Sequence, residues 1–185
     1  MTGKQHSTIG ISAGAIASYT YLGGDFSPVH LVTVVGPVVV GSFIGSYLPD
    51  IDSKKSKASQ AFNKILLAVI LSLGVAHYLE LPILEEVMGF VKNTFLGNLG
   101  LLMFLVNTVL GKLSGHRLYT HRIVGTGVFV VSSLLAFNSA FAYGLILGYL
   151  LHIAADRTTA DGKNLKFFRI QLPMTNSKGK LHVSF

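Results

Sequence analysis

Imidazoles and carboxylates stand at the mouths of very hydrophobic segments in this chain: His6, Asp50 and Asp52 in LPDIDS, His116 and His121 in GHRLYTH, and His152 with Asp156 in HIAAD. Charge beside a bilayer-spanning segment is costly, so such groups gathered on one side mark a functional site. Cysteine is absent, so a metal would be held by imidazole nitrogen and carboxylate oxygen, a donor set suited to Zn²⁺, Mn²⁺ or Fe²⁺. His152 and Asp156 are four residues apart, which on a helix brings their Cβ atoms within about 5–6 Å on one face, a gap one ion can bridge. Asp50 and Asp52 flank a single Ile, and two carboxylates so close repel unless a cation or a proton intervenes. The whole set exceeds the three or four protein ligands of one catalytic zinc. It fits a site with two or more divalent ions that polarise a phosphoryl or carbonyl oxygen and activate water. Arg117 and Arg122 could clamp phosphate oxygens, and Asp52 is the candidate general base. Each feature also has a plain reading: a His–Asp hydrogen bond, Asp as a helix cap, histidines against lipid phosphate, and arginines as membrane anchors.

The elements that must position these residues are hydrophobic. Half of the 185 residues are apolar, 12% are charged and the mean hydropathy is +0.57, whereas a soluble domain is about a quarter charged. The expectation is an all-α, polytopic helical bundle with about six membrane segments, some short. They are read at 7–24, 28–48 (with Pro37 a kink), 61–79, 94–114, and two short helices made by splitting 123–155 at Phe137-Asn138-Ser139. The first is expected to remain as an uncleaved helix rather than a signal peptide. LPILEEVMGFVK, 81–92, has the spacing of a helix lying along the interface. Parity then carries His6, Asp50, Asp52, His116, His121, His152 and Asp156 to one side. Every Lys and Arg except Lys92 falls on that same side, which marks it as cytoplasmic. Residues 1–156 form the membrane domain, and 157–185 a basic cytoplasmic tail near anionic head groups; its few aromatics make nucleic-acid binding the weaker reading. His30 and His77 fall on or near the opposite side and His182 in the tail, outside the site.

The motifs resemble the LexA-regulated (YdjM-like) inner-membrane-bound metal-dependent hydrolases. That family shows an early His, LPDID followed by Ser, an HRGxTHS-like segment, and a G-Y-x-x-H-x-x-x-D helix end followed by Thr and Gly. Here these are QHSTIG at 5–10, LPDIDS at 48–53, GHRLYTH at 115–121 and GYLLHIAADRTTADG at 148–162. Leu118 stands where the family has Gly, and Arg122 where it has Ser. The resemblance implies a multi-pass protein of the bacterial inner membrane and a distant relation to the phospholipase C and P1 nuclease group, multi-zinc helical enzymes that cleave phosphoesters.

The leading expectation is therefore a membrane-embedded hydrolase, acting through metal-activated water on a lipid head group or soluble phosphoester at the cytoplasmic face. A type-2 phosphatidic acid phosphatase is the second reading, since Ser114-Gly115-His116 and the HxxxD at 152–156 match fragments of its motifs. It lacks that family's upstream Lys-and-Arg motif and the Ser-Arg before HxxxD. A non-catalytic metal transporter or scaffold is the third, kept open by Gly36 and Pro37 within a span, although transporters place ion sites near the midplane.

Overall fold

The computed structural model describes residues 3–22, 27–52, 91–159, 166–176 and 178–181, together with Gln60 and Lys64. These residues form five helices and no strand: α1 (Gly3–Leu22), α2 (Pro28–Asp52), α3 (Phe95–Leu113), α4 (Ile123–Ala136) and α5 (Ser139–Arg157). Three of them, α2, α3 and α5, with 25, 19 and 19 residues, are long and apolar enough to cross a membrane.

Six such spans are not found among the described residues. α4 has only 14 residues, short of the roughly 20 a full crossing needs. α1 has 20, but Lys4, Gln5, His6, Ser7 and Thr8 make its first turns polar. The expected span at 61–79, apart from Lys64, and most of the expected interfacial helix at 81–92 lie outside the described residues. Where the latter is described, it is extended rather than helical: Val91 bridges Phe137, the Lys92 N–H donates to the Ala136 carbonyl at 2.8 Å, and Lys92 Nζ donates to the Leu134 carbonyl at 2.6 Å. A cation on the last carbonyls of α4 complements the helix dipole.

The break at Phe137-Asn138-Ser139 is present. Phe137 turns extended after α4, and Asn138 caps α5 by accepting the Phe141 N–H at 3.0 Å. An Asn that satisfies an orphan amide at a helix start explains why the run from 123 to 155 is two helices.

α2 changes its winding twice. Pro37 has no N–H to offer the carbonyl four residues back and its ring crowds that turn. The preceding turn, Leu31–Val35, widens to a π-helix, and the Gly36 N–H reaches back five residues to Leu31. At the other end the chain tightens to a 3₁₀ turn over Leu48–Asp52.

Small residues set the helix spacing. Gly41 and Gly45 of α2 face Gly144 and Gly148 of α5, and a Cβ built on any of them would collide with the facing backbone: Phe141, Leu145, Val38 and Ser42 respectively. On α1, His6, Gly10, Gly14 and Ser18 recur every four residues and are all buried. Gly10 and Gly14 lie against Ser46 and Ser42 of α2, and Ser42 Oγ donates to the Gly10 carbonyl at 2.7 Å. Such stripes let backbones approach where no water is present to drive burial. They also deliver His6, at the end of the α1 stripe, to the ends of α2 and α5. The apolar core joins α4 and α5, through Phe129, Leu145, Tyr149 and Ile153, to Leu48 and Ile51 at the end of α2, with Phe129 and Tyr149 stacked at 4.0 Å.

Replacing Gly148 by Val should therefore push α5 off α2. Thermal unfolding in detergent should show a loss on the order of 1–3 kcal/mol or more, the usual cost of overpacking; an unchanged transition would contradict the close approach.

Candidate metal centre

His6, Asp50, Asp52, His116, His121, His152 and Asp156, spread over the sequence, form one polar cluster at the shared end of the bundle. α1 begins there, α2 and α5 end there, and residues 114–122 turn there between α3 and α4. Most of these side chains are buried: His6, Asp52, His121, His152 and Asp156 are each at most 2% exposed.

Asp52 organises the loop. Its Oδ1 accepts from His116 Nδ1 at 2.8 Å, and its Oδ2 accepts the Arg117 backbone N–H at 2.9 Å and the Thr120 hydroxyl at 2.7 Å. Arg117 has a φ of 58°, a left-handed conformation that costs a non-glycine residue roughly 1–2 kcal/mol. It is held there by its N–H bond to Asp52 and by an ion pair from its guanidinium to Asp156 at 2.8 Å. Two tyrosines pin the same loop: Tyr119 donates to Asn107 of α3 at 2.6 Å, and Tyr149 of α5 donates to the Thr120 carbonyl at 2.6 Å. The hydrogen bond to Asp52 raises the His116 imidazole above its ordinary pKa, against the pull of burial.

Proton bookkeeping then decides what the buried imidazoles present. The Thr120 hydroxyl has one proton, and it goes to Asp52. At 2.9 Å from His121 Nδ1, the same oxygen must accept, so Nδ1 carries the imidazole proton and Nε2 is left with its lone pair. For His152 the partner is a carbonyl. Tightening to the 3₁₀ turn sends the Asp50 N–H to Tyr47, three residues back, and the Ser46 carbonyl accepts from His152 Nδ1 at 2.6 Å instead. A carbonyl only accepts, so His152 Nε2 also points its lone pair inward. Both Nε2 atoms are buried without a hydrogen bond.

They face carboxylates. His152 Nε2 is 3.4 Å from Asp50 Oδ1, and His121 Nε2 is 3.5 Å from Asp156 Oδ2 and 4.0 Å from Asp50 Oδ1. Burial pushes the His121 imidazole below its ordinary pKa, although the neighbouring Asp156 opposes this, so its neutral form is favoured. Ligand atoms of Asp50, His121, His152 and Asp156 all lie within 4.8 Å of one another. Two imidazole nitrogens that present lone pairs to carboxylates are the arrangement a cation relieves, and imidazoles whose far nitrogen donates to a carbonyl or hydroxyl are oriented as metal ligands are. The donor set therefore fits a divalent ion. His6 adjoins it, with Nε2 3.3 Å from Asp156 Oδ1 and its ring stacked on His152 at 3.9 Å.

A second group, Asp50, Asp52 and His116, is also close enough to share an ion. There the His116 proton already sits between the nitrogen and Asp52. Arg122, read from sequence as a phosphate clamp, is instead turned to the carbonyl of Lys166 in the C-terminal segment. Sequence reasoning passed over Thr120, Ser46, Tyr149 and Asn107. The position of Thr120 immediately before His121 was the available hint for the first; nothing in the sequence marks a backbone carbonyl such as that of Ser46.

Asp52→Ala would strand the His116 ring, the Arg117 amide and the Thr120 hydroxyl. With about 1–3 kcal/mol for each buried group left unsatisfied, the variant should melt well below the parent in detergent and expose residues 114–122 to faster hydrogen exchange. Unchanged exchange in that loop would show that Asp52 does not organise it.

No curated protein and no solved structure matches the chain. The model of the YdjM inner membrane protein family matches residues 1–185, its whole length. With a polar cluster at the end of apolar helices and that match over every residue, the chain belongs to the YdjM inner membrane protein family.

Proposed function

We propose that this protein is a metal-dependent hydrolase of phosphoesters, holding a divalent cation between Asp50, His121, His152 and Asp156 at the cytoplasmic end of its helices. The observation that carries the reading is the facing of two bare Nε2 atoms against two carboxylates, with each far nitrogen committed to Thr120 or to the Ser46 carbonyl. A Zn²⁺, Mn²⁺ or Fe²⁺ ion bound there would act as a Lewis acid on a phosphoryl oxygen and lower the pKa of water.

The chain's own groups divide the remaining work. Thr120 and Ser46 hold the tautomers of His121 and His152, keeping both Nε2 atoms free of protons. Asp50, with its side chain 20% exposed, is the member of the four most open to solvent and takes the role of general base. Asp52, expected in that role, has its oxygens engaged by three donors and suits holding the loop. Arg117 is 25% exposed beside Asp156, within reach of an incoming phosphate whose oxygens match its fork of donors. Neutralisation of Asp156 would release that guanidinium for the substrate. The Lys and Arg excess on this side supports a cytoplasmic orientation. The His116 proton shared with Asp52 favours one ion at the four-residue group before any second.

Protein purified in detergent and loaded with Zn²⁺ or Mn²⁺ should retain metal by elemental mass spectrometry and cleave phosphodiesters or phospholipids. His152→Ala and Asp156→Ala should lose both properties. Absence of bound metal after loading would end the proposal; bound metal without turnover of any phosphoester would favour the transporter or scaffold. Thr120→Val, which removes the group fixing the His121 tautomer, should weaken metal binding about 10–100-fold, read by competition with a fluorescent chelator; unaltered affinity would contradict the assigned tautomer.

A further inference from the structure

The C-terminal segment 166–181 is tied to the loop that carries His116, Arg117, Thr120 and His121. The Ile123 N–H donates to the Phe167 carbonyl at 2.9 Å, Arg122 donates to the Lys166 carbonyl, and the Met174 N–H donates to Ser114 Oγ at 2.9 Å. These bonds bracket both ends of the loop between α3 and α4, so the segment lies at the end of the bundle where the metal cluster sits.

Its shape is fixed from within. The buried Gln171 amide donates to the Thr175 and Asn176 carbonyls at 3.1 and 3.0 Å. Asn176 Oδ1 accepts from the Lys178 and Lys180 amides at 2.9 and 3.0 Å. Gly179, at a φ of 77°, makes the turn that pairs Thr175 with Leu181. Yet Phe168, Ile170, Leu172 and Leu181 are 75%, 76%, 61% and 79% exposed. Exposed Lys166, Arg169, Lys178 and Lys180 alternate with them, and 166–181 contains no Asp or Glu.

Large apolar side chains held outward on an ordered segment mark a contact surface. Interleaved with cations and set at the end of membrane-spanning helices, they match the boundary between acyl chains and anionic head groups. We propose that residues 166–176 and 178–181 form a foot that rests on the anionic surface of the bilayer, apolar side chains in the interface and Lys166, Arg169, Lys178 and Lys180 on lipid phosphates. Through Ser114, Arg122 and Ile123 the foot ties the metal-site loop to the membrane surface. The inference is independent of the hydrolase reading.

The chain has no tryptophan, so Phe168→Trp, at an exposed aromatic position, supplies a single tryptophan in the full-length protein that can be excited apart from its tyrosines. In phosphatidylglycerol nanodiscs its emission should shift to the blue and be quenched by brominated phospholipid. Both effects should fall away in phosphatidylcholine nanodiscs, and in a phosphatidylglycerol disc when Lys166, Arg169, Lys178 and Lys180 are changed to Gln. Should the Gln variant fail to fold, the comparison of the two lipids decides alone. Water-like, unquenched emission in both lipids would overturn the proposal. Equal quenching in both lipids would overturn its anionic selectivity, and a blue shift without bromolipid quenching would put a protein surface there instead.

Discussion

A hydroxyl has one proton to give, and much of the site depends on where Thr120 sends it. Donated to Asp52, it obliges the Thr120 oxygen to accept from His121 and turns the bare nitrogen of that ring toward Asp156. The Ser46 carbonyl imposes the same choice on His152. Two lone pairs and two carboxylates then share a buried space, an arrangement that is unfavourable without positive charge. Arg117, paired with Asp156 from the rim, supplies part of it. The left-handed backbone at Arg117 is consistent with a loop built to serve this cluster, since strain of that kind concentrates at functional sites.

The helices make the cluster possible by approaching closely. Glycines on α2 and α5 bring the two backbones into contact, and Ser42 of α2 bonds to α1 across the seam. That closeness places Ser46 against His152 and His6 against Asp156. Larger residues at Gly45 or Gly148 would separate the ligands as well as the helices. The change of α2 from an α to a 3₁₀ winding contributes directly, because it frees the Ser46 carbonyl and sets Asp50 and Asp52 in different directions, one toward His152 and the other toward His116.

Much of this was legible in the residues, for physical reasons. A carboxylate or imidazole at the end of an apolar run is expensive, so LPDIDS, GHRLYTH and HIAAD stood out; parity brought them to one side only by counting six spans, which the described residues do not show. The break at Phe137-Asn138-Ser139 was legible from length, since the run from 123 to 155 is long for one span and short for two. Span number was less so. The two short helices expected in 123–155 are present, but α4, at 14 residues, is too short to count as a full crossing, and the length of an apolar run does not say whether each piece crosses. The docking of 166–176 was hidden because the segment contributes only backbone amides and carbonyls to it, which every sequence has. The same holds for the carbonyl that orients His152. Arg122 looked like a phosphate ligand by its neighbours in sequence, and its direction is decided by the distant segment it holds.

The central claim is that His121 and His152 offer their Nε2 atoms, with Asp50 and Asp156, to one divalent ion. X-ray absorption spectroscopy of the Zn²⁺-loaded protein tests it most directly. The account predicts a shell of mixed nitrogen and oxygen at about 2.0–2.2 Å, with the outer-shell scattering of two imidazoles, reduced by one ring in His121→Ala and by one ring in His152→Ala. A shell of oxygen alone, or imidazole scattering that survives both substitutions, would contradict it.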